Sequence, residues 1–494
     1  MAAIKSSSRL LGNSAWNASG FLVGVGLNLL ILPFVLFRLG AAAFGVAGLV
    51  TACIAPALAF SNALALSTTR ELAQRLAPGE RDDARRFFAT ALLLAGVGGL
   101  PIAIVLSLAG PVLAHHVFHL RGELTNDLAL AFVFGTGGWL CQCISAVFLA
   151  LFTARQDYAR LASINVVITV VSTLSMLVLI PRWPQASTFL ACQALGFATG
   201  LLVSFVLSSW VVGEWVARPA FHRRPLYGLV NFGGWQFAAQ CGSLIAGQAD
   251  RYLLGAFLVP QFVGYYMVAQ RLEEAIYIGI LKIGEILFPF FSSVQKESDD
   301  RIADLLFRAC WVLNLLAAVV LGALIPVAGP LLYVWTGAEV AAETQGLLVV
   351  LAVAGMLGCA SNVFAYYLLA NGRSRSYAMI AVVTAVVTLI TSATALPYFG
   401  WQAAGWSACL AMFAQIIVTT VLVRQSFKVT DVWPRVAHFV LLPLGTGILT
   451  AMAMRCLFGQ RLSDLTPHWW FVGAAYGIFR GSVRTERCAG GICA

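Results

Sequence analysis

The segment from Phe87 to Ala114, FFATALLLAGVGGLPIAIVLSLAGPVLA, decides the fold class, because it contains no charged side chain from one end to the other. An α-helix rises about 1.5 Å per residue, so about 20 apolar residues are enough to cross the hydrocarbon core of a bilayer. Comparable runs follow one another along the chain, at 12–37, 42–69, 87–114, 128–152, 161–181, 186–212, 229–256, 262–292, 305–328, 344–370, 377–396, 402–423, 436–457 and, more weakly, 468–479. The sequence therefore predicts an all-α polytopic membrane protein with about 14 spans, numbered here in chain order.

The composition agrees with that prediction. Of the 494 residues, 60% are hydrophobic and 11% are charged, whereas about a quarter of the residues in a typical soluble domain are charged. The short connections leave little chain for an extramembrane domain, which excludes most classes of soluble enzyme. Most of the eleven cysteines lie singly inside apolar runs, and His115 and His119 have the spacing of a zinc pair without a third ligand. We therefore predict no metal and no cofactor.

Lysine and arginine residues predict the orientation of the spans. If the N-terminus is cytoplasmic, the cytoplasmic segments hold 23 of the 31 cations and the outer segments hold 5. Short cytoplasmic loops are enriched in these residues, so both termini are predicted to be cytoplasmic. The net charge of +10 is distributed over these loops rather than over one patch, which excludes nucleic acid as a partner.

An internal repeat predicts two lobes. One constant offset along the chain places Trp16 on Trp235, Gly45 on Gly264, Ala109–Pro111 on Ala328–Pro330 and Tyr158–Ala159 on Tyr377–Ala378. Each half holds six spans, an even number, so both halves enter the membrane in the same orientation. Parallel repeats are related by an axis along the membrane normal, with the substrate path between two lobes. We predict lobes at 1–219 and 220–435, and outside the repeat a segment at 436–494 with span 13, a short span 14 and a tail.

Two spans have a polar face. At about 100° per residue along span 7, one sector contains Gln236, Gln240, Ser243, Gly247, Asp250 and Arg251. In span 1, Asn17 and Asn28 share a face, and Asn17 is the repeat equivalent of Gln236. Polar groups avoid lipid, so we predict that both faces line an internal cavity. The alternative is that the amides hold neighbouring helices together.

Span 8 has charged residues on one face. Arg271, Glu274, Lys282 and Glu285 lie within about 80° around the helix axis, whereas Glu273 points away. An isolated charge at the centre of a membrane helix costs about 2.5–3.5 kcal/mol on insertion scales, so the series predicts water or a ligand beside it. The alternative is that Arg271 with Glu274, and Lys282 with Glu285, form salt bridges with a structural role.

Three stretches resemble a known family: Pro33–Gly40 continuing to Val46, Asp250–Gly255 with Val263–Ala269, and the turn Asn371–Arg373. In these motifs the chain is similar to the polysaccharide flippases of the multidrug/oligosaccharidyl-lipid/polysaccharide (MOP) exporter superfamily. The resemblance extends over about residues 10–430. It implies two six-helix bundles in a V around a central cavity, lined partly by spans 1, 2, 7 and 8, with two further C-terminal helices. The segment 468–479 and the tail after it depart from the family pattern.

The resemblance also implies a function. Such proteins move a polyprenyl pyrophosphate-linked oligosaccharide from the cytoplasmic to the periplasmic leaflet of the inner membrane by alternating access, for the assembly of O-antigen or exopolysaccharide. A polysaccharide polymerase and export proteins are the expected partners. The anionic substrate is expected to bind Arg271, Lys282 and Arg251, in a cavity whose wall includes Gln236, Gln240, Asn17 and Asn28. Candidates for a site that couples transport to H⁺ or Na⁺ are Glu274, Asp250 and Glu285.

Two other functions stay open on the sequence alone. A drug or organic-cation exporter of the same superfamily is expected to have a carboxylate-dominated cavity without central cations, so Arg271 and Lys282 argue against it. A membrane-embedded polysaccharide polymerase or ligase needs a sizeable outer loop with catalytic residues, whereas the outer connections here, such as 115–127 and 329–343, are short. The sequence therefore favours a transporter and predicts that the protein is not an enzyme.

Overall fold

The computed structural model describes residues 2–75, 81–119, 122–212, 219–284, 299–370, 374–427, 438 and 441–456. The regular structure within these ranges is α-helical, as the apolar runs predicted. The helices are α1 (Ala2–Arg75), α2 (Arg81–His116), α3 (Glu123–Ala154), α4 (Tyr158–Leu179), α5 (Ala186–Val212), α6 (Arg223–Gly247), α7 (Ala249–Phe257), α8 (Pro260–Gly284), α9 (Asp299–Thr336), α10 (Ala338–Ala370), α11 (Ser374–Phe399), α12 (Ala403–Phe427) and α13 (Leu441–Cys456). Predicted span 14 lies outside the described residues.

The helices are those of a multi-pass membrane protein. Within the described part of the chain, nine helices are long and apolar enough to cross a membrane, and Leu441–Cys456 is a shorter apolar helix. One of the nine, α1, contains both span 1 and span 2, because its backbone is non-helical at Gly40 (φ 78°, ψ 162°). A positive φ favours glycine, so this residue marks the turn between the two spans. The total of 14 spans and the side of the termini stay predictions.

Span 7 differs from the prediction of one helix. Here α6 ends at Gly247 and α7 begins at Ala249, with non-helical backbone at Gln248 (φ −108°, ψ 1°). Asp250 lies in the first turn of α7, where the helix dipole favours a negative charge. A common face calculated for a continuous helix therefore does not extend from Gln236 across the break to Asp250 and Arg251.

The internal repeat is visible in the helix boundaries. Helices α4 and α11 end at Leu179 and Phe399, and helices α5 and α12 begin at Ala186 and Ala403. Each boundary in the second half lies within two positions of the residue that the repeat pairs with the corresponding boundary in the first half. The first residue of α8, Pro260, is likewise the equivalent of the residue that follows the break at Gly40. Equivalent apolar patterns have thus produced equivalent helices.

The two copies of the repeat meet at a pair of glycines. A Cβ on Gly45 would overlap the carbonyl oxygen of Pro260, and a Cβ on Gly264 would overlap the carbonyl oxygen of Ala41. Gly45 and Gly264 are equivalents in the repeat, and so are Ala41 and Pro260. The contact is therefore reciprocal, which is the pattern expected across a twofold axis.

A further contact gives the direction of that axis. Gly48 lies against Met267, its own equivalent, one turn beyond the contact of Gly45 with Gly264. Because the contacts advance in the same direction on both helices, α1 after Gly40 and the start of α8 run side by side and parallel. The repeat is therefore parallel, as predicted, with its local axis along these helices.

Packing divides the chain into two compact units. Unit 1 comprises Met1–Arg271 and Ala378–Ala411, and unit 2 comprises Leu272–Tyr377 and Met412–Ala494. In unit 1, α1 packs against α3, α4 and α6, and in unit 2, α9 packs against α10. These units follow contacts rather than the repeat, so the lobe boundaries at 219 and 435 stay predictions.

Candidate functional site

Unit 1 contains a polar cavity of about 550 Å³ among α1, α3, α4 and α5. Five amide side chains line it, together with seven serine and threonine hydroxyl groups. The amides are Asn28, Asn62, Gln142, Asn165 and Gln193. The volume is in the usual range for a small-molecule site. The described wall contains no lysine, arginine, histidine, aspartate or glutamate, so the cavity is polar but uncharged.

Helical spacing accounts for this wall. On α3, Ser145 and Thr153 lie three and eleven residues beyond Gln142, so the three side chains share a sector of about 80° around the helix axis. On α4, Asn165 and Thr169 share a face in the same way. Polar faces at membrane depth are costly against lipid, and here they turn towards a common cavity.

Several wall groups use their hydrogen atoms within their own helix. Asn28 Nδ2 donates to the Gly24 carbonyl oxygen at 2.8 Å. Thr153 Oγ1 donates to Leu149 and Thr169 Oγ1 donates to Asn165, both at 3.0 Å. The hydroxyl oxygens therefore face the cavity as acceptors. Of the two amides predicted in span 1, Asn28 lies on this wall, and the side chain of Asn17 lies outside the description.

A second polar cluster in unit 1 surrounds Asp250. Tyr266 of α8 donates its hydroxyl hydrogen to Asp250 Oδ2 at 2.9 Å, and Ser392 of α11 donates to Oδ1 at 2.8 Å. The Ser392 oxygen is also 2.6 Å from Ser407 Oγ of α12. The break at Gln248 places the carboxylate here, because it starts a new helix whose first turn contains Asp250. The cluster brings hard oxygen atoms from four helices together.

Arg251 follows Asp250 but is held in the protein interior. Its side chain is 7% exposed, and its guanidinium group donates to Gln270 Oε1 from Nε at 3.2 Å and from Nη2 at 2.9 Å. The sequence predicted Arg251 as an anion-binding residue. In the structure it connects α7 to α8 through the Gln270 amide.

The charged face of span 8 lies on α8. Arg271 is exposed, Glu274 and Lys282 are half-buried, and Glu285 lies outside the described residues. The side chains of Gln236 and Gln240 on α6 are also half-buried. The cavity of unit 1 is lined by α1, α3, α4 and α5, so the structure does not place these α6 and α8 residues on its described wall.

Glu273 is a buried carboxyl group that the sequence did not include among the candidate site residues. Its side chain is 8% exposed and lies in unit 2 against α10, where a Cβ on Gly355 would be 2.6 Å from Oε1. One turn further along α8, the Tyr277 hydroxyl accepts a hydrogen bond from Asn362 Nδ2 at 2.5 Å. The i, i+4 spacing of Glu273 and Tyr277 was the available signal, but the sequence did not show which helix they face.

A basic pocket of about 460 Å³ lies at the ends of α1 and α2, on the predicted cytoplasmic side of unit 1. Arg75, Arg86, His222 and Arg223 line it, together with Asp83. The Arg75 guanidinium carbon is 4.2 Å from the centre of the Phe87 ring, a cation–π contact that orients the side chain. The pocket is basic, although Arg75 is ion-paired with Glu71 and Arg86 lies 3.8 Å from Asp83 Oδ1. In the part of the chain that the structure describes, no three His, Cys, Asp or Glu residues are arranged to bind a metal ion.

The family of the protein follows from comparison with known sequences. A family model described as "Polysaccharide biosynthesis protein" matches residues 35–339. That is more than half of the chain, so the protein belongs to this family. A curated relative, the "Uncharacterized membrane protein EpsK" of Bacillus subtilis (strain 168), is 24% identical over 336 residues. The match spans 66% of this chain and 65% of that relative, slightly less than two thirds of its length.

Solved structures show the same fold. An inward-facing multidrug resistance MATE family transporter of the MOP superfamily has a TM-score of 0.70 at 15% identity, over 81% of this chain and 94% of that one. The lipid II flippase MurJ, in an inward closed conformation, has a TM-score of 0.65 at 12% identity, over 92% and 99%. With the family match, the resemblance to the polysaccharide flippases of the MOP superfamily is confirmed. The chain is thus a member of the polysaccharide biosynthesis family with the fold of MOP-type membrane transporters.

Proposed function

We propose that this protein is a flippase that moves a polyprenyl pyrophosphate-linked oligosaccharide across the inner membrane, from the cytoplasmic to the periplasmic leaflet, for O-antigen or exopolysaccharide assembly. The observation that carries the proposal is the uncharged polar cavity within the spans of a member of the polysaccharide biosynthesis family. A sugar chain must leave water to cross a bilayer, and hydrogen-bonding groups at membrane depth replace that water. The lipid tail can stay in the bilayer throughout.

Basic residues are available to bind the pyrophosphate, the anionic part of such a substrate. The basic pocket with Arg75, Arg86 and Arg223 lies at the predicted cytoplasmic surface, where the pyrophosphate of a lipid carrier would first meet the protein. Arg271 and Lys282 on α8 stay the proposed contacts along the path, because guanidinium and ammonium groups stabilise phosphate by charge-assisted hydrogen bonds. A drug or organic-cation exporter is less well supported, since the described wall of the unit 1 cavity contains no carboxylate.

Of the three candidates for the site that couples transport to H⁺ or Na⁺, we assign Asp250 in preference to Glu274 and Glu285. A carboxylate offers about four lone pairs, and the hydroxyl groups of Tyr266 and Ser392 occupy one on each oxygen atom. The remaining lone pairs and the oxygen of Ser407 can serve a hard cation. Because α7, α8, α11 and α12 all contribute to the cluster, a cation bound there can stabilise one arrangement of these helices over another.

Transport in vesicles of the purified full-length chain tests the proposed function. The probe is a polyprenyl pyrophosphate with a short neutral oligosaccharide, introduced in the inner leaflet, and its arrival outside is measured with a membrane-impermeant glycosidase. We expect the chain to accelerate arrival well above that in protein-free vesicles, and Arg271→Ala to reduce it. If the lipid probe arrives outside only at the rate of protein-free vesicles and the protein transports a cationic dye instead, the result would favour a drug or organic-cation exporter. In cells, the same proposal predicts that loss of the protein deprives the polysaccharide polymerase and export proteins of substrate.

A further inference from the structure

We propose that the unit 1 cavity binds the sugar portion of the substrate and selects uncharged sugars, such as hexoses and N-acetylhexosamines, over uronic acids. The inference rests on the proposed function and deepens it, because it names the chemical class of the glycan and separates its site from that of the pyrophosphate. Three observations support it: the amides of the wall, its lack of charge and its apolar patches.

The amide groups match sugar hydroxyls. A hydroxyl group both donates and accepts a hydrogen bond, and an amide side chain offers two donor hydrogens and an acceptor oxygen in a fixed plane. Five such side chains from four helices line the cavity, with Gln142 and Gln193 on α3 and α5. Thr153 and Thr169 add acceptor oxygens, since their own hydrogens are bound within the helix. The hydroxyl groups of a glycan can thus form hydrogen bonds with the polar groups of the wall, and neither set of groups is left without a partner.

The charge of the wall determines which sugars fit. A uronic acid has a carboxylate, and moving an unpaired carboxylate out of water is far more costly than moving a hydrogen-bonded hydroxyl group. The described wall has no cation to offset that cost. Neutral sugars meet no such penalty. The basic pocket at Arg75 and Arg223 and the cations of α8 lie on other helices or at the surface, so anionic pyrophosphate and neutral glycan have separate sites.

Apolar groups complete the match. Phe197, Met176 and Ile168 also line the cavity, next to the amides. The C–H faces of a sugar ring are apolar and can pack against these side chains by dispersion. The wall also extends to Thr153, one residue before α3 ends at Ala154 and close to the predicted cytoplasmic turn. This is the side from which the flippase receives its substrate.

Helix association is the competing account of these polar residues. Amides and hydroxyls that join helices bond across the interface, as Ser145 and Ser204 do at 3.2 Å between α3 and α5. Asn28, Thr153 and Thr169 instead donate to carbonyl groups of their own helices. Their role in holding helices together is therefore small, and a cavity of this volume is left between the helices.

The test compares two lipid probes in vesicles that contain the full-length protein. Both are polyprenyl pyrophosphates with the same short oligosaccharide, except that one has a uronic acid in place of one neutral hexose. We expect the wild-type protein to flip the neutral probe at least about tenfold faster, from the cost of an unpaired charge. Gln142→Leu combined with Gln193→Leu should slow the neutral probe by roughly tenfold, because two amide contacts are lost. Thr199→Val is the matched control on α5, since Thr199 bonds to Leu195 and is not among the wall residues.

A labelling measurement covers the case in which the double variant does not fold. Asn165→Cys in a cysteine-free background should react with a maleimide, and the neutral probe should slow that reaction more than polyprenyl pyrophosphate without sugar. Equal protection by both lipids, or equal flipping of the neutral and acidic probes, overturns the inference and leaves the proposed function intact. If the wild-type protein flips neither probe, the proposed function itself fails and the inference falls with it.

Discussion

Gly264→Ala is expected to separate the two copies of the repeat where they touch. The added methyl group would overlap the carbonyl oxygen of Ala41 and lie 3.0 Å from its carbonyl carbon. Ordinary contacts between carbon atoms are about 3.5–4.0 Å, so α8 and α1 must move apart by about half an ångström or more. The obstacle is backbone, which cannot rotate away as a flexible side chain can. Overpacking of this kind costs about 1–3 kcal/mol, equivalent to roughly 5- to 150-fold in the folding equilibrium.

The measurement is the thermal stability of the purified protein in detergent, followed by the fraction that stays monodisperse after heating. Gly279→Ala on the same helix is the matched control, because no atom of another helix in the described part of the chain lies within 4 Å of a Cβ at that position. The control should be neutral or slightly stabilising, since alanine is a better helix former than glycine. Gly45→Ala should reproduce the loss, because its Cβ would lie 2.7 Å from the Pro260 carbonyl carbon. Equal stability of Gly264→Ala and Gly279→Ala would refute the reciprocal contact.

Four further predictions concern the coupling site, the buried residues of α8 and the topology. Asp250→Asn should flatten the sodium or pH dependence of flipping in vesicles, whereas Glu274→Gln should leave it; the reverse result moves the coupling site to Glu274. Gly355→Ala should lower thermal stability, because its Cβ would lie 2.6 Å from Glu273 Oε1, and Glu273→Ala in the same chain should restore it. Gln270→Leu should destabilise the protein by about 1.5–3 kcal/mol in thermal unfolding, since buried Arg251 loses the two charge-assisted hydrogen bonds to Gln270 Oε1, whereas Gln270→Glu should be tolerated. Single cysteines placed in a cysteine-free chain should react with an impermeant reagent from outside at 335–343 and be protected at 213–227; labelling of 213–227 from outside contradicts the predicted orientation.

The sequence alone determined the elements and their repetition. The lengths of the apolar runs predicted the helices, since a membrane span needs about 20 residues whatever it packs against. The constant offset of the repeat predicted equivalent boundaries in both halves, and it identified Gly45 and Gly264 before their contact was known. These features are local or periodic, so they can be recognised in the sequence without knowledge of the tertiary structure. Asn28 was predicted on a polar face for the same reason, and it lies on the cavity wall.

Only the tertiary structure decided which of these faces meet. Gln142, Asn165 and Gln193 are single amides in three apolar spans, and no periodicity marks them as neighbours; α1, α3, α4 and α5 have to pack before they form one cavity. The break at Gln248 and the partners of Asp250 on distant helices also appeared only in the structure, because a helical wheel assumes one continuous helix. Glu273 was predicted to point away from the other charges, but its position against Gly355 appeared only with α10 in place. Periodicity specifies the face of a helix, whereas the partner of that face is set by packing between residues far apart in the chain.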